Sequence, residues 1–191
     1  MKYTFTIEEA SDGGDGRGKI VLESRTGESD RHIALKLLAY LLFRAETGGV
    51  PLRIEQGVGQ RHKPDLVATE PDTGRVLLWI DCGQIETKRL GRIAAQNARA
   101  RVVVVKATVA EVDAYALAAE RFLPPADRGA ADVAFLGFDP GFVSGFCALL
   151  RGTNVIGLTR GREGIEVRLN GETRATGVHR RPAGPTTLAA P

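Results

Sequence analysis

Cysteine and histidine are scarce in this chain of 191 residues, which contains two cysteines and three histidines. Cys82 and Cys147 lie far apart in sequence, and each is surrounded by apolar residues. Neither belongs to a CxxC pair or to a Cys/His cluster, which excludes the usual zinc-binding patterns. We therefore expect both to be reduced thiols of the core.

Long apolar runs are also missing. No stretch reaches the roughly 20 residues that a membrane-spanning helix needs, and residues 1–4 carry neither the charged nor the apolar region of a secretion signal. Apolar residues make up 43% and charged residues 26% of the chain, as in ordinary globular proteins. We expect a cytoplasmic protein.

The length and the charge set further limits. A chain of 191 residues with a net charge of +3 is long enough for one good core, and it permits a polyanionic partner without implying one. We predict a single domain over residues 1–170. From residue 171 the glycine, proline and threonine content and the lack of periodicity predict a disordered tail, 171–191, including His179, Arg180 and Arg181.

The hydrophobic pattern predicts an α/β fold. A helix begins at the N-cap candidates Ser29 or Asp30, is apolar almost all round and ends near residue 46, before two glycines. Around it, the pattern predicts strands at 3–7, 19–23, 52–55, 65–69, 76–80, 101–105 and 133–138, helices at 85–98, 109–123 and 142–150, and a closing hairpin of strands 154–159 and 163–170. Between residues 30 and 105 the order is helix, three strands, helix and strand.

Two carboxylates stand at facing ends of two of these strands. If Thr73 is the centre of the turn between them, Asp65 lies opposite Asp81. Opposed side chains on an antiparallel pair have Cβ atoms about 4.5 to 5.5 Å apart, close enough for both to reach one Mg²⁺. A shift of one residue would move Asp81 to the other face, so the metal hypothesis depends on this register.

Simpler interpretations exist for each acid. Asp65 alone fits a strand-end acid, Asp81 a polar stop after an apolar strand, and Glu28 a negative group favoured near a helix N-terminus. Lys88 or Lys63 could neutralise the acids in place of a metal. His32 and His62 have no partner at ligand or nucleophile spacing, so we expect surface or helix-end roles for them.

Three stretches of the sequence resemble the YaeQ branch of the PD-(D/E)xK nuclease superfamily. They are Arg25 to Arg31 leading into Leu37 to Tyr40, the Pro64-Asp65-Leu66 motif, and Trp79 to Gln84 with Lys88-Arg89. Asp81 stands where Glu is usual in that family. The resemblance is most specific over residues 28–105 and implies a restriction-endonuclease-like core, here with N-terminal strands and a C-terminal helix and hairpin.

The resemblance also implies roles for individual residues. Asp65 and Asp81 would bind Mg²⁺ or Mn²⁺, with the backbone carbonyl of Cys82 as a further ligand and Glu28 as a third acid near the attacking water. The superfamily usually has a lysine two residues after the second acid, but Gly83 stands there. Gln84 forms hydrogen bonds without carrying charge, and Lys88 is our candidate for the missing cation.

Two functions follow from these patterns. The first is a metal-dependent nuclease or phosphodiesterase, with Lys88, Arg89, Arg92 and Arg99 contacting phosphates along a basic helix face. No aromatic residues alternate with these cations, which argues against stacking on single strands. The second is a catalytically inactive protein of the same fold that binds nucleic acid or a protein partner, as the glycine at position 83 suggests. The sequence does not decide between them.

Overall fold

The computed structural model describes residues 2–8, 17–23, 27–125, 131–162 and 164–183. In these residues there are four α-helices: α1 (Asp30–Phe43), α2 (Thr87–Gln96), α3 (Val109–Ala119) and α4 (Phe142–Cys147). The strands are β1 (Lys2–Glu8), β2 (Arg17–Glu23), β3 (Arg53–Ile54), β4 (Leu66–Thr69), β5 (Val76–Cys82), β6 (Arg101–Val105), β7 (Asp132–Phe138), β8 (Thr153–Arg160), β9 (Gly164–Leu169) and β10 (Glu172–Pro182).

All of these strands belong to one sheet. Its order is β2-β1-β8-β9-β10-β7-β6-β5-β4-β3. Strands β5, β6 and β7 run parallel, as do β1 and β8, and the other neighbours are antiparallel. The long strand β10 joins the two halves of the sheet, since its first part pairs with β9 and its last part with β7.

Helix α1 is buried on nearly every side. The side chain of Ser29 caps it by accepting a hydrogen bond from the backbone N–H of His32. From Ile33 to Phe43 only Tyr40 is not fully buried. The reason is that α1 shares one core with α4 and with apolar residues from both halves of the sheet. The apolar pattern predicted this burial correctly.

The opposite face of strands β4 to β7 packs against α2 and α3. Trp79, the single tryptophan of the chain, is fully buried there. Helix α2 approaches the 3₁₀ turn Glu120–Phe122 so closely that a Cβ atom on Gly91 would lie 2.2 Å from the carbonyl oxygen of Phe122. Glycine is therefore required for this contact.

The predicted α/β class and the predicted order of elements are confirmed, with small shifts of their ends. The predicted disordered tail is wrong over Glu172–Pro182, which form β10, while residues 184–191 lie outside the described part of the chain. Only Thr176 of this strand is fully buried. Because β10 is held by hydrogen bonds to strands on both sides rather than by apolar burial, its sequence lacks the usual alternation.

None of the described helices is long and apolar enough to span a membrane.

The predicted register of the two site strands is confirmed. Leu66 pairs with Ile80 and Val67 with Trp79, which places Asp65 across from Asp81 just beyond the last β4 pair. The predicted turn centre at Thr73 is wrong, because Thr69 pairs with Val76, and a register shift between Ala68 and Thr69 gives the pairing found at the site. The backbone N–H of Asp65 still donates to the carbonyl oxygen of Ile80 at 3.1 Å, so the strand pairing extends to the site.

Candidate functional site

A cavity of about 980 Å³ opens where the N-terminus of α1 meets the ends of β4, β5 and β6. Most of its polar lining is charged. The lining includes Glu28, His32, Glu55, Asp65, Gln84 and Lys106. The carboxyl ends of the neighbouring parallel strands β5 and β6 therefore contribute to the same site as the start of the buried helix.

Asp65 is fixed at the floor of the cavity by two hydrogen bonds. One carboxylate oxygen, Oδ2, accepts the backbone N–H of Cys82 at 2.7 Å. The other, Oδ1, lies 3.1 Å from Nε2 of His32. The short strand β4 and the end of β5 thus hold this carboxylate toward the cavity.

His32 joins two carboxylates. The same Nε2 atom that contacts Asp65 lies 3.1 Å from Oε1 of Glu28, one helical turn earlier. Burial lowers the pKa of this imidazole, but the hydrogen bond to Asp65 and the charges of Asp65 and Glu28 outweigh burial, so its pKa is raised. Glu28 and Asp65 therefore converge on one point, and a histidine nitrogen holds that point.

Asp81 lies beside the cavity, not in its lining. Its Oδ2 atom accepts the indole N–H of Trp79 at 2.9 Å, and Oδ1 lies 3.6 Å from a guanidinium nitrogen of Arg89. Burial raises the pKa of Asp81 to about 6, with the charge of Asp65 adding to the effect and the bond from Trp79 opposing it. Its neutral form is therefore more favoured than in an ordinary aspartate.

A second charged group, centred on Lys36, adjoins the one centred on His32. Nζ of Lys36 lies 2.5 Å from Oε1 of Glu28 and 2.6 Å from Oε1 of Glu55. Burial lowers the pKa of Lys36, but its hydrogen bonds to the two glutamates raise it by more, so the net shift is upward. Glu55 has a φ of 50°, a strained value for this residue type.

Lys106 follows β6 and reaches across to β5. Its ammonium group donates to the carbonyl oxygen of Gly83 at 2.5 Å and lies 3.8 Å from the ring centroid of Tyr115. Only 7% of Lys106 is exposed, and burial lowers its pKa to about 8. The cation therefore lies next to the position two residues after Asp81.

A basic surface borders the cavity mouth. It consists of Arg61, His62, Arg89 and Arg92, whose charges act on one another, of Lys63 in the cavity lining, and of Lys88, one turn before Arg92 on α2. Arg89 donates to the carbonyl oxygen of Lys63, and Gln60 and Asn97 exchange two hydrogen bonds, so the loop before β4 is fixed to α2. Burial and the charges of the three arginines lower the pKa of His62, as expected where cations are close together.

Arg99 does not lie on helix α2. We predicted it on the same helical face as Lys88 and Arg92, but α2 ends at Gln96 and Arg99 has a φ of 65°. The side chain of Asn97 turns back to the carbonyl oxygen of Ile93 and closes the helix. The helical spacing that linked these cations therefore does not extend to residue 99.

The structure brings some of the predicted site residues together and leaves others apart. Glu28, Asp65 and Gln84 line the cavity, and Asp81 is buried beside it. Cys82 contacts Asp65 through its backbone N–H, and its carbonyl stays a predicted metal ligand. Lys88 is exposed and lies outside the lining.

The sequence analysis missed four residues of the site. They are His32, Lys36, Glu55 and Lys106. The spacing of four residues between Glu28, His32 and Lys36 would have indicated a polar row that starts just before α1 and continues along it. Lys106 could have been found because it follows β6 as Gly83 follows the parallel strand β5.

Comparisons with known proteins agree with this architecture. The chain superposes on the crystal structure of YaeQ protein from Xanthomonas axonopodis pv. citri with a TM-score of 0.71 at 20% identity, covering 96% of this chain and 98% of that one. For YaeQ protein from Pseudomonas syringae the TM-score is 0.69 at 16% identity, with 94% of each chain covered. A search of curated proteins finds no match.

The structural likeness at these identities shows a shared fold. The family model described as YaeQ protein matches residues 17–123, more than half of the chain. This match includes every residue that lines the cavity. The chain belongs to the YaeQ family.

Proposed function

We propose that this protein is a metal-dependent nuclease or phosphodiesterase, built on a restriction-endonuclease-like core of α1, β3, β4, β5, α2 and β6. One observation carries the proposal. Asp65 and Asp81 stand opposite each other at the ends of paired strands, and the ammonium group of Lys106 lies over Gly83, beside the second acid. An acid and a buried cation that line one cavity, with a second acid buried beside it, suit phosphodiester hydrolysis.

The chemistry of the donors fits a hard divalent cation. Asp65, Asp81, Glu28 and the carbonyl of Cys82 would supply oxygen ligands, which Mg²⁺ and Mn²⁺ prefer. In the described residues, no three His, Cys, Asp or Glu side chains are already arranged as a metal site. His32 holds the point where Glu28 and Asp65 converge, so a bound ion would take the place of its imidazole. When bound, the ion would polarise a phosphate oxygen.

The chain's own residues supply the remaining interactions. Lys106, buried and close to Gly83, stabilises negative charge that develops on the phosphate. Gln84 lines the cavity and orients polar groups of the substrate through hydrogen bonds. The basic surface beside the mouth binds the neighbouring phosphates and guides the strand toward the acids.

The proposal is tested by cleavage assays on single- and double-stranded DNA and RNA with Mg²⁺ or Mn²⁺. We expect cleavage by the wild-type protein and its loss in Asp65→Ala. Asp72→Ala is the matched control, because Asp72 is exposed in the turn of the same hairpin. If folded wild-type protein cleaves none of these substrates with either metal, the proposed activity is wrong.

A specific observation favours a second function, a binding module without catalysis. The carboxylate of Asp81 is directed to Trp79 and Arg89, away from the cavity lining. On this alternative the acids and their cationic partners form a structural network, and the basic surface binds nucleic acid alone. Asp65→Ala would then leave the affinity for nucleic acid unchanged, and no metal would be required.

A further inference from the structure

We infer that the site takes one divalent cation and not two, because the ammonium group of Lys36 permanently occupies the place of a second one. The inference rests on the proposed metal-dependent function and names a feature of that same site. It concerns the carboxylate pair of Glu28 and Glu55, which the buried side chain of Lys36 joins.

The contacts of Lys36 resemble those of a bridging cation. Its Nζ atom lies 2.5 Å from Oε1 of Glu28 and 2.6 Å from Oε1 of Glu55. Both distances are shorter than the roughly 2.7 to 2.9 Å that is usual for charge-assisted hydrogen bonds. A single positive charge thus joins two carboxylates from different segments, as a metal ion does in a two-metal site.

Burial keeps the ammonium group of Lys36 in place. The side chain of Lys36 is 1% exposed, whereas that of His32, which joins Glu28 to Asp65, is 25% exposed. Removing one partner from a buried ion pair is strongly destabilising, because the remaining charges are left uncompensated. A bound metal ion would therefore take the place of the more accessible imidazole, and the buried ammonium group would stay.

Glu55 is held against Lys36 by its backbone. Its N–H donates to the carbonyl oxygen of Asp65 at 2.8 Å, and its φ of 50° orients the residue between β3 and the loop before β4. Lys63 adds a second cation, with Nζ 3.8 Å from Oε2 of Glu55. With two lysines around it, Glu55 already has the positive charge that a second metal would provide.

Counting bound Mn²⁺ tests this inference without reference to activity. We would titrate metal-free wild-type protein with Mn²⁺, using calorimetry and the electron paramagnetic resonance signal of free Mn²⁺. One ion per chain is expected. Two ions per chain would overturn the inference and leave the proposed function standing. No bound ion would overturn the proposed metal-dependent function, and the inference with it.

A variant tests the role of Lys36 directly. In Lys36→Met, Glu28 and Glu55 lose their buried cation, so we expect two Mn²⁺ per chain and a larger rise of the melting temperature with Mn²⁺ than in the wild type. Lys63→Met is the control and should still bind one ion, because Lys63 is 43% exposed. A folded Lys36→Met protein that binds a single ion would refute the inference. If this variant does not fold, the wild-type count decides.

Discussion

The ammonium group of Lys106 donates a hydrogen bond to the carbonyl oxygen of Gly83 at 2.5 Å. The two residues follow neighbouring parallel strands, in which Cys82 pairs with Val105. Lys106, which follows β6, thus brings a positive charge to Gly83, which follows β5 and has no side chain that could carry one. Several expected properties of the protein depend on this lysine and on the acids around it.

We predict that Lys106→Met lowers kcat for nucleic-acid cleavage by about 10²- to 10³-fold, the usual effect of losing one group that stabilises transition-state charge. Lys88→Met should lower it less, because Lys88 is exposed outside the cavity. Lys19→Met, on the exposed side of β2, serves as the neutral control. A greater loss in Lys88→Met than in Lys106→Met would assign the catalytic cation to α2.

The fluorescence of Trp79 should report the ionisation of Asp81. The indole N–H donates to this carboxylate, and Trp79 is the single tryptophan of the chain. Since burial raises the pKa of Asp81 to about 6, the emission of metal-free protein should change with a midpoint near pH 6. Asp81→Asn should remove the transition. A midpoint at the ordinary pKa of an aspartate would show that the carboxylate is hydrated.

The same shift predicts how stability depends on pH. The folded-state pKa of Asp81, about 6, exceeds its ordinary value of 3.8, so between these pH values the folded protein binds more protons than the unfolded chain. The contribution of Asp81 to the free energy of unfolding is therefore favourable at low pH and is lost as the pH rises through 6. Above pH 6 its ionisation costs on the order of 3 kcal/mol.

Asp81→Asn should therefore raise the free energy of unfolding at pH 8 without metal, by an amount on the order of 1 to 3 kcal/mol. At pH 4 the gain should be small, because the wild-type carboxyl group is then mostly protonated in the folded state. Urea unfolding at both pH values measures the difference. Equal effects at the two pH values would contradict the assigned cause.

The contact of Gly91 with the 3₁₀ turn predicts a destabilising substitution. A Cβ atom at this position would lie 2.2 Å from the carbonyl oxygen of Phe122, so Gly91→Ala forces α2 away from the turn. We expect a loss of about 1 to 3 kcal/mol, as for other overpacked sites. Gly152→Ala should change stability far less, because no atom lies within 4 Å of its Cβ position. Thermal unfolding of both variants tests this.

The basic surface predicts a salt-dependent affinity for nucleic acid. Replacing Arg61 and Arg92 by glutamate should weaken binding of duplex DNA and reduce the dependence of log K on log salt by about one for each lost phosphate contact. Arg151→Glu, which lies before β8 in the other half of the sheet, should have little effect. Fluorescence anisotropy at several salt concentrations provides the measurement. An unchanged slope would remove this surface from the proposed interface.

Local sequence patterns were sufficient to predict much of the fold. The apolar helix α1, the β-branched strand β6 and the turn between β4 and β5 are each specified by neighbouring residues. Strand β10 could not be predicted in this way. Its hydrogen-bonding partners, β9 and β7, are fixed only when both halves of the sheet are assembled.

The candidate site, too, could be predicted from the sequence only in part. The sequence by itself determined the two strands and the acid at the end of each. The turn pairs Thr69 with Val76, which alone would place Asp65 opposite Ile80, and the register shift between Ala68 and Thr69 brings Asp65 opposite Asp81. Only the tertiary structure decided that His32 joins Glu28 to Asp65, that Lys36 is buried between two glutamates, and that Lys106 reaches Gly83. These contacts link segments far apart in the chain, and their charges meet only when α1 is packed against the ends of parallel strands.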